Sequence, residues 1–435
     1  MGYGDEPAGF LEPQGEYLGF SYTPAWREGP GPAVSLTLPK EGAAFQKRAH
    51  RFFANLLFEG EVSSLLARES GCPREDIFTL LAEYGRDTAG ALSIRPEEEA
   101  GPAWSLTGEG KTDRLRGRHY IDVTGALAEI LAIPADKRPP LLYALRNRGF
   151  RPRLTLAGAQ DKLPIHYAGG RSFIPAPDSD STTDWILKPD SPRFGFLPHN
   201  EAFCLKLAGL AGLPAATAVL QEFGGGLALL VRRYDRLDEA GLSRLHQEDF
   251  CQALGMAPEV KYQYQLGPGF ESCVDLLMSG RAGEPEKNRD LLVKAAVFNY
   301  LIGNCDAHGK NFSILYDHLN RPGPAPFYDL VSTRVYPELT EDFAMRYGAN
   351  EYNFHKISIF DWRNLARTFR LKPARLADLM EETTAAVQRT APGLLDKEAR
   401  ERPEAERLYG LLERVLDEGL KKLAPMPERL RKGRA

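Results

Sequence analysis

The stretch from Asp290 to Leu301, Asp-Leu-Leu-Val-Lys-Ala-Ala-Val-Phe-Asn-Tyr-Leu, constrains the fold more than any other part of the chain. It has the length of a helix and is apolar almost all round. Such a helix is stable only when other elements cover every side of it. The chain beyond Asp249 supplies that cover, being mostly helical in pattern, with at least three more helices over 361–421. A large, mostly α-helical unit is therefore expected over 249–435.

The segment before it follows a different period. Leu154-Thr-Leu156, Pro164 to Tyr167 and Trp185-Ile-Leu-Lys188 read as strands; the second reaches the turn Gly169-Gly170 and Pro189 closes the third. Ala218 to Glu222 and Leu227 to Arg233 flank Gly224-Gly-Gly226, a hairpin signature. Asn200 to Leu210 reads as an amphipathic helix stopped by Gly212. These elements make 151–248 a small β-rich unit.

Residues 1–110 read as a mixed α/β subdomain. Val34 to Pro39 and Gly90 to Ile94 alternate as strands do, while His50 to Leu66 and Asp76 to Tyr84 have helical spacing, the latter stopped by Gly85. Residues 97–114, acidic and Gly-rich, suggest a linker. A helical connection is expected over 111–150, with a helix from Tyr120 to Leu131 and a punctuated stretch from Pro134 to Pro140. No repeat of solenoid length is present.

The strongest chemical signal follows the apolar helix: Asn304-Cys-Asp-Ala-His-Gly-Lys-Asn311. Asp306 and Asn311 have the Asp-x-x-x-x-Asn spacing of a protein-kinase catalytic loop. The aspartate must reach an acceptor hydroxyl to take its proton, and the asparagine must turn back to offer a carbonyl oxygen to Mg2+. Four intervening residues allow both. Asp329, after Pro326-Phe327-Tyr328, supplies the second metal-binding acid. Magnesium prefers such hard oxygen ligands. Lys188 ends an apolar strand, as the phosphate-binding lysine of kinases does, and Glu201 opens the next helix and could pair with it. Ala157-Gly-Ala-Gln-Asp-Lys162 is a small-residue loop whose amides could approach phosphate oxygens. Val231-Arg-Arg-Tyr-Asp235 ends a strand where the two units meet, where a kinase holds adenine.

Each feature also has an ordinary structural reading. Lys188 could be a surface lysine, the Gly158 loop a plain turn, Glu201 a first-turn acid favoured by the helix dipole, and His308 a cap. Lys310 meets phosphate or solvent. Composition narrows the chemistry further. Five scattered cysteines without a Cys-x-x-Cys pair form neither a disulfide framework nor a zinc site, which suits a reducing cytoplasm. The polar start is no secretory signal, Met1-Gly2 lacks the pattern for myristoylation, and no apolar run approaches the roughly 18–20 residues of a membrane span. A net charge of −4 selects no partner, although the tail from Lys421 to Arg434 is basic.

Taken together, Leu154-Thr-Leu-Ala-Gly-Ala-Gln-Asp-Lys162, Asn200-Glu201, Arg233-Tyr-Asp-Arg236, Gln247-Glu-Asp-Phe-Cys-Gln252, Val260-Lys-Tyr262, Gly267-Pro-Gly269, Asp306 to Asn311 and Phe327-Tyr-Asp329 resemble the HipA-type serine/threonine kinases, the toxins of bacterial toxin–antitoxin pairs. The resemblance spans nearly the whole chain. It implies an α+β, protein-kinase-like two-lobe fold with an added N-terminal subdomain, and ATP and Mg2+ as cofactors. By resemblance Asp306 is the catalytic base, and Asn311 and Asp329 hold the metal. Ala157, Gly158, Ala159, Gln160, Asp161, Lys162 and Lys188 meet the phosphates, with His308, Gly309 and Lys310 beside them. Arg232, Arg233, Tyr234, Gln247 and Tyr328 surround adenine and ribose.

The resemblance also implies a protein substrate, with aminoacyl-tRNA synthetases the target class, and a small helix-turn-helix antitoxin of HipB type as partner. One departure is Thr155, which stands where the family has a regulatory serine; a phosphate there would repel ATP phosphates and eject the loop. DNA would be met only through the antitoxin complex. Arg367 and Arg370, three apart on a predicted helix, are either phosphate contacts or a solvated face. The competing readings are an aminoglycoside-type small-molecule kinase and an inactive kinase-fold scaffold. The 154–162 motif and the Gln247 segment weigh against the first, and the intact set of Lys188, Asp306, Asn311 and Asp329 against the second.

Overall fold

The computed structural model describes residues 1–4, 6–42, 44–97, 119–177, 179, 181–237, 244–279, 283–348 and 351–432. The linker expected over 97–114 lies, from residue 98 on, outside them, as does Arg434 of the basic tail.

At the centre is a six-stranded antiparallel sheet in the order Ala218–Phe223, Gly226–Arg232, Trp185–Pro189, Leu163–Ala168, Arg171–Pro175, Tyr120–Asp122. Side chains alternate across a strand, and the two faces serve different cores. Leu229 and Val231 join the core of the helical lobe, while Ala228 and Leu230 join that of the N-terminal unit. The sheet is covered on both sides, which explains its apolar strands. Lys188 stands opposite Leu229, beside the helix Leu197–Leu210.

The helical lobe is built round Pro285–Ile302, as its apolar surface requires. Tyr347, Phe354 and Trp362 close on its Tyr300 as one aromatic cluster. Gly303 ends this helix at φ +63°, and a Cβ there would come within 2.9 Å of Arg334 Cδ and Val415 Cγ1. Only glycine fits, and the turn delivers Asn304 into the cleft. The helices Ile359–Thr368, Pro373–Glu401 and Glu406–Leu423 supply the remaining cover.

Several local expectations change. Val34 to Pro39 is a tight turn, with Leu38 N–H donating to Ser35 O; the alternation serves to plug Val34 and Leu38 into the core. The helix expected from His50 to Leu66 is two helices, Lys47–Ala54 and Gly60–Glu69. Tyr120–Asp122 is the sixth strand, and the helix starts only at Thr124, whose N–H donates to Asp122 Oδ1. Leu154 makes a single bridge to Asp87 in place of a strand. The helix Leu197–Leu210 is buried on most sides because it lies between sheet and helical lobe, so it is not amphipathic. Arg370 lies beyond the helix Ile359–Thr368 at φ +54°, paired with Asp275, so it shares no helical face with Arg367.

Candidate active site

Between the lobes lies a cleft of about 1180 Å³. The expected nucleotide, metal and catalytic residues line it, namely the 157–162 loop, Lys188, Arg232 to Tyr234, Gln247, Asp306, His308, Lys310, Asn311, Tyr328 and Asp329, while Gly309 sits just behind and Thr155 is not part of the wall. A Cβ on Gly309 would strike Pro268 Cγ at 2.5 Å, so this position needs glycine for close packing.

Lys188 reaches Glu201 Oε1 at 2.6 Å and Asp329 Oδ1 at 2.9 Å. Burial works against its charge, but the two carboxylates outweigh burial and raise its pKa above the ordinary lysine value. Asp329 is likewise opposed by burial yet held well below the usual carboxylate range by Lys188 and Lys162. Both are therefore charged at neutral pH. Asp329 has φ +56°, a left-handed conformation rare outside glycine, asparagine and aspartate, which turns its carboxylate toward the lysine. Such strain gathers at functional sites.

Asp306 accepts a 2.8 Å hydrogen bond from Tyr262 Oη. Burial pushes its pKa up to about 6, against the pull of that bond. A carboxylate tuned in this way is suited to taking a proton near neutrality. Asn311 donates its side-chain nitrogen to Asp306 O at 3.0 Å, which leaves Oδ1 as the atom to offer a cation. His308 caps the short turn Gly309–Asn311 by accepting from Lys310 N–H, and burial holds its pKa down to about 3, so it is neutral.

In the 157–162 loop, Gly158 has φ +108°, and Lys162 Nζ folds under it to Ala157 O at 2.5 Å. A Cβ on Gly158 would lie 2.4 Å from that ammonium, so the loop cannot carry a larger residue there without moving. Gln160 Nε2 is buried without a hydrogen-bond partner among the described residues. At the far end Tyr234 and Tyr328 rings lie 5.8 Å apart, and Tyr234 Oη donates to Gln247.

Three expected residues have other work. Asp161 accepts the Leu141 N–H at 3.0 Å and so caps the helix Leu141–Asn147, with no free carboxylate for the phosphates. Lys310, buried at the cleft wall, binds Asn55 Oδ1 at 2.6 Å and Glu59 Oε1 at 3.1 Å in the N-terminal unit. Arg233 is committed to a buried ionic cluster with Asp87 and Asp235. Thr155 is fully buried, donating Oγ1 to Leu56 O at 3.0 Å. Asn55 and Glu59 lie in no sequence motif, and the roles of Lys261 and Tyr262, which fall within Val260-Lys-Tyr262, are not announced by that motif.

A β-rich lobe, a helical lobe, and a lysine–glutamate pair across the cleft from an Asp-x-x-x-x-Asn loop define a protein-kinase-like fold. Comparison with known proteins narrows the class. The family model of the HipA-like C-terminal domain matches residues 154–391, and that of the HipA N-terminal domain matches 1–95. Y4mE of Sinorhizobium fredii, which bears a kinase name, is 38% identical over 86% of each chain. The serine/threonine-protein kinase toxin HipA of Shewanella oneidensis is 28% identical over 87% of this chain and 86% of its own. The solved complex of Shewanella oneidensis HipA, HipB and operator DNA contains a chain of the same fold, with a TM-score of 0.80 at 24% identity, covering 100% of this chain and 99% of that one. This chain belongs to the HipA family of kinases. No described helix is long and apolar enough to cross a membrane.

Proposed function

We propose that the protein is an ATP- and Mg2+-dependent kinase that phosphorylates a serine or threonine hydroxyl of another protein, as a HipA-type toxin. The observation that carries this reading is the set Lys188–Glu201–Asp329 facing Asp306 and Asn311 across one cleft. Asp329 and Asn311 Oδ1 are hard oxygen donors that suit Mg2+. The phosphates would lie against Lys188, the 157–162 loop and the unpartnered Gln160 amide. Mg-ATP, when bound, supplies the transferable phosphoryl group and a cation to neutralise its charge. Lys188 holds its place because Glu201 fixes it from behind. Asp306, oriented by Tyr262, takes the acceptor proton at a carboxylate oxygen. Tyr234, Tyr328 and Gln247 form the wall for adenine.

The Shewanella complex supports a HipB-type antitoxin as partner, with operator DNA reached through it, and family resemblance supports an aminoacyl-tRNA synthetase as substrate. Thr155 is the candidate site of self-phosphorylation. Its hydroxyl is buried against Leu56, so modification requires the following loop to leave the cleft first, and a phosphate of nearly two charges could not return. Incubation with labelled ATP and Mg2+, beside Asp306→Ala, followed by mass spectrometry, tests both ideas. Label in the wild type and none in the variant is expected. A wild type that neither binds Mg-ATP nor takes up label refutes the kinase reading, and label elsewhere than Thr155 refutes the switch.

A further inference from the structure

The N-terminal unit contributes several residues to the wall of the catalytic cleft, among them Asn55, Leu56 and Glu59. Glu59, between the helices Lys47–Ala54 and Gly60–Glu69, has an 85%-covered carboxylate with Lys261 Nζ at 2.9 Å on Oε2 and Lys310 Nζ at 3.1 Å on Oε1. Its own N–H donates to Gly158 O at 3.3 Å, and Phe58 forms a bridge with Gly158. One residue thus touches three separate pieces of the site.

We propose that Glu59 is a positioning residue for phosphotransfer, locking the catalytic loop, the Lys261–Tyr262 segment and the phosphate loop into one arrangement. The inference rests on the kinase reading given above.

Each contact has a consequence at the reacting atoms. Lys310 lies in the catalytic loop, between Asp306 and Asn311, and its ammonium is held at the cleft wall by Glu59 and Asn55, with Asp249 Oδ2 at 3.7 Å. Lys261 precedes Tyr262, the residue that orients Asp306, and Lys261 O accepts the Gly309 N–H at 3.2 Å. The two lysines therefore lie on the two chain segments that flank the base, and one carboxylate holds both. Two ammonium groups brought together without it would repel and separate those segments. The same residue's backbone holds Gly158, the most unusual backbone position of the phosphate loop, so base and loop are referenced to a common point. Gly60 follows at φ +63°, and its Cβ position lies 3.6 Å from Ala159 Cβ. The break between the two helices is what aims Glu59 inward.

A plain docking contact predicts a different outcome. Buried ion pairs are weak evidence for stability, and a contact that only held the unit in place would alter stability and leave turnover per folded molecule alone. The test uses the full chain with ATP, Mg2+ and casein as acceptor, comparing wild type, Glu59→Gln and Glu59→Asp. Displacement of reacting groups by about 1 Å costs on the order of 100-fold, so kcat is expected to fall about 10- to 100-fold in Glu59→Gln with KM for ATP within about twofold. Glu59→Asp, which keeps the charge, should recover most of the loss. Unchanged kcat in folded Glu59→Gln, a loss carried by KM alone, or Glu59→Asp no better than Glu59→Gln overturns the proposal. If Glu59→Gln does not fold, Lys261→Met is read by the same kcat and KM criteria. A wild type that neither binds Mg-ATP nor labels casein or itself sinks the kinase reading, and this inference with it; an active wild type with indifferent variants sinks this inference alone.

Discussion

Replacing Lys188 by methionine removes the cation that lies 2.6 Å from Glu201 and 2.9 Å from Asp329. The two carboxylates left behind differ. The Glu201 side chain is 1% exposed, so its charge loses its partner in the interior; the Asp329 side chain is 35% exposed, so water and salt screen it. Breaking a buried pair from one side costs about 3–5 kcal/mol, nearly all of it assigned here to Glu201. Glu201→Gln alone leaves Lys188 bound to Asp329 and should cost only about 1–2 kcal/mol. The double variant has no stranded charge. Its loss should fall short of the sum of the two single losses by about 2 kcal/mol or more. Urea unfolding of the four proteins measures this coupling, and Mg-ATP binding measured in parallel should be weakened in every protein that lacks Lys188. Single losses that add to within about 0.5 kcal/mol would refute the idea that Glu201 is buried for the sake of Lys188.

Other outcomes follow from the same structure. Asp306 acts as a base only when deprotonated, and burial sets its pKa at about 6, so kcat should rise with pH through about 6 and be lost below it; a rate flat from pH 5 to 8 would exclude it as the titrating group. Glu248 is buried against Ser35, Leu36 and Tyr316, and burial raises its pKa to about 7. A carboxyl whose folded pKa is raised favours the folded state most below its unfolded value of about 4.3, and that contribution is lost as pH rises through about 7. Glu248→Gln should therefore flatten the decline in melting temperature between pH 5 and 8, and an equal decline in both proteins would count against the assignment. Thr155→Ala removes the bond to Leu56 O and should cost about 1 kcal/mol in unfolding while abolishing label at that position; undiminished label on the peptide would place the modification elsewhere.

The chemistry was legible wherever it depends on neighbours in the chain. The apolar surface of Pro285–Ile302 demands a buried helix, and Gly303 must end it, so the residues from Asn304 to Asn311 had to emerge at one place. Lys188 at a strand end and Glu201 in the next helix are 13 residues apart, close enough for strand-then-helix order to bring them together. The hairpin at Gly224 to Gly226 is equally local. Period, turn chemistry and short spacing carry all of this, because they reflect forces acting within one element or between consecutive ones.

The direction in which a charged side chain turns was settled by tertiary structure. Lys310 pairs with a residue 255 positions away, and no local pattern distinguishes a lysine bound for Asn55 and Glu59 from one bound for phosphate. Asp161 becomes a helix cap only because the helix Leu141–Asn147 arrives beside it. Tyr120–Asp122 is a strand because the edge of a sheet built from later residues offers it hydrogen bonds, which outweigh the weak preference of so short a segment. Thr155 is sealed under Leu56 by a unit nearly one hundred residues upstream. Sequence by itself set which reactive groups the chain carries and in what order they appear. Tertiary structure set which of them face the cleft and which are spent holding it together, because an ionic or hydrogen-bonding group takes its role from whatever partner the fold brings within about 3 Å.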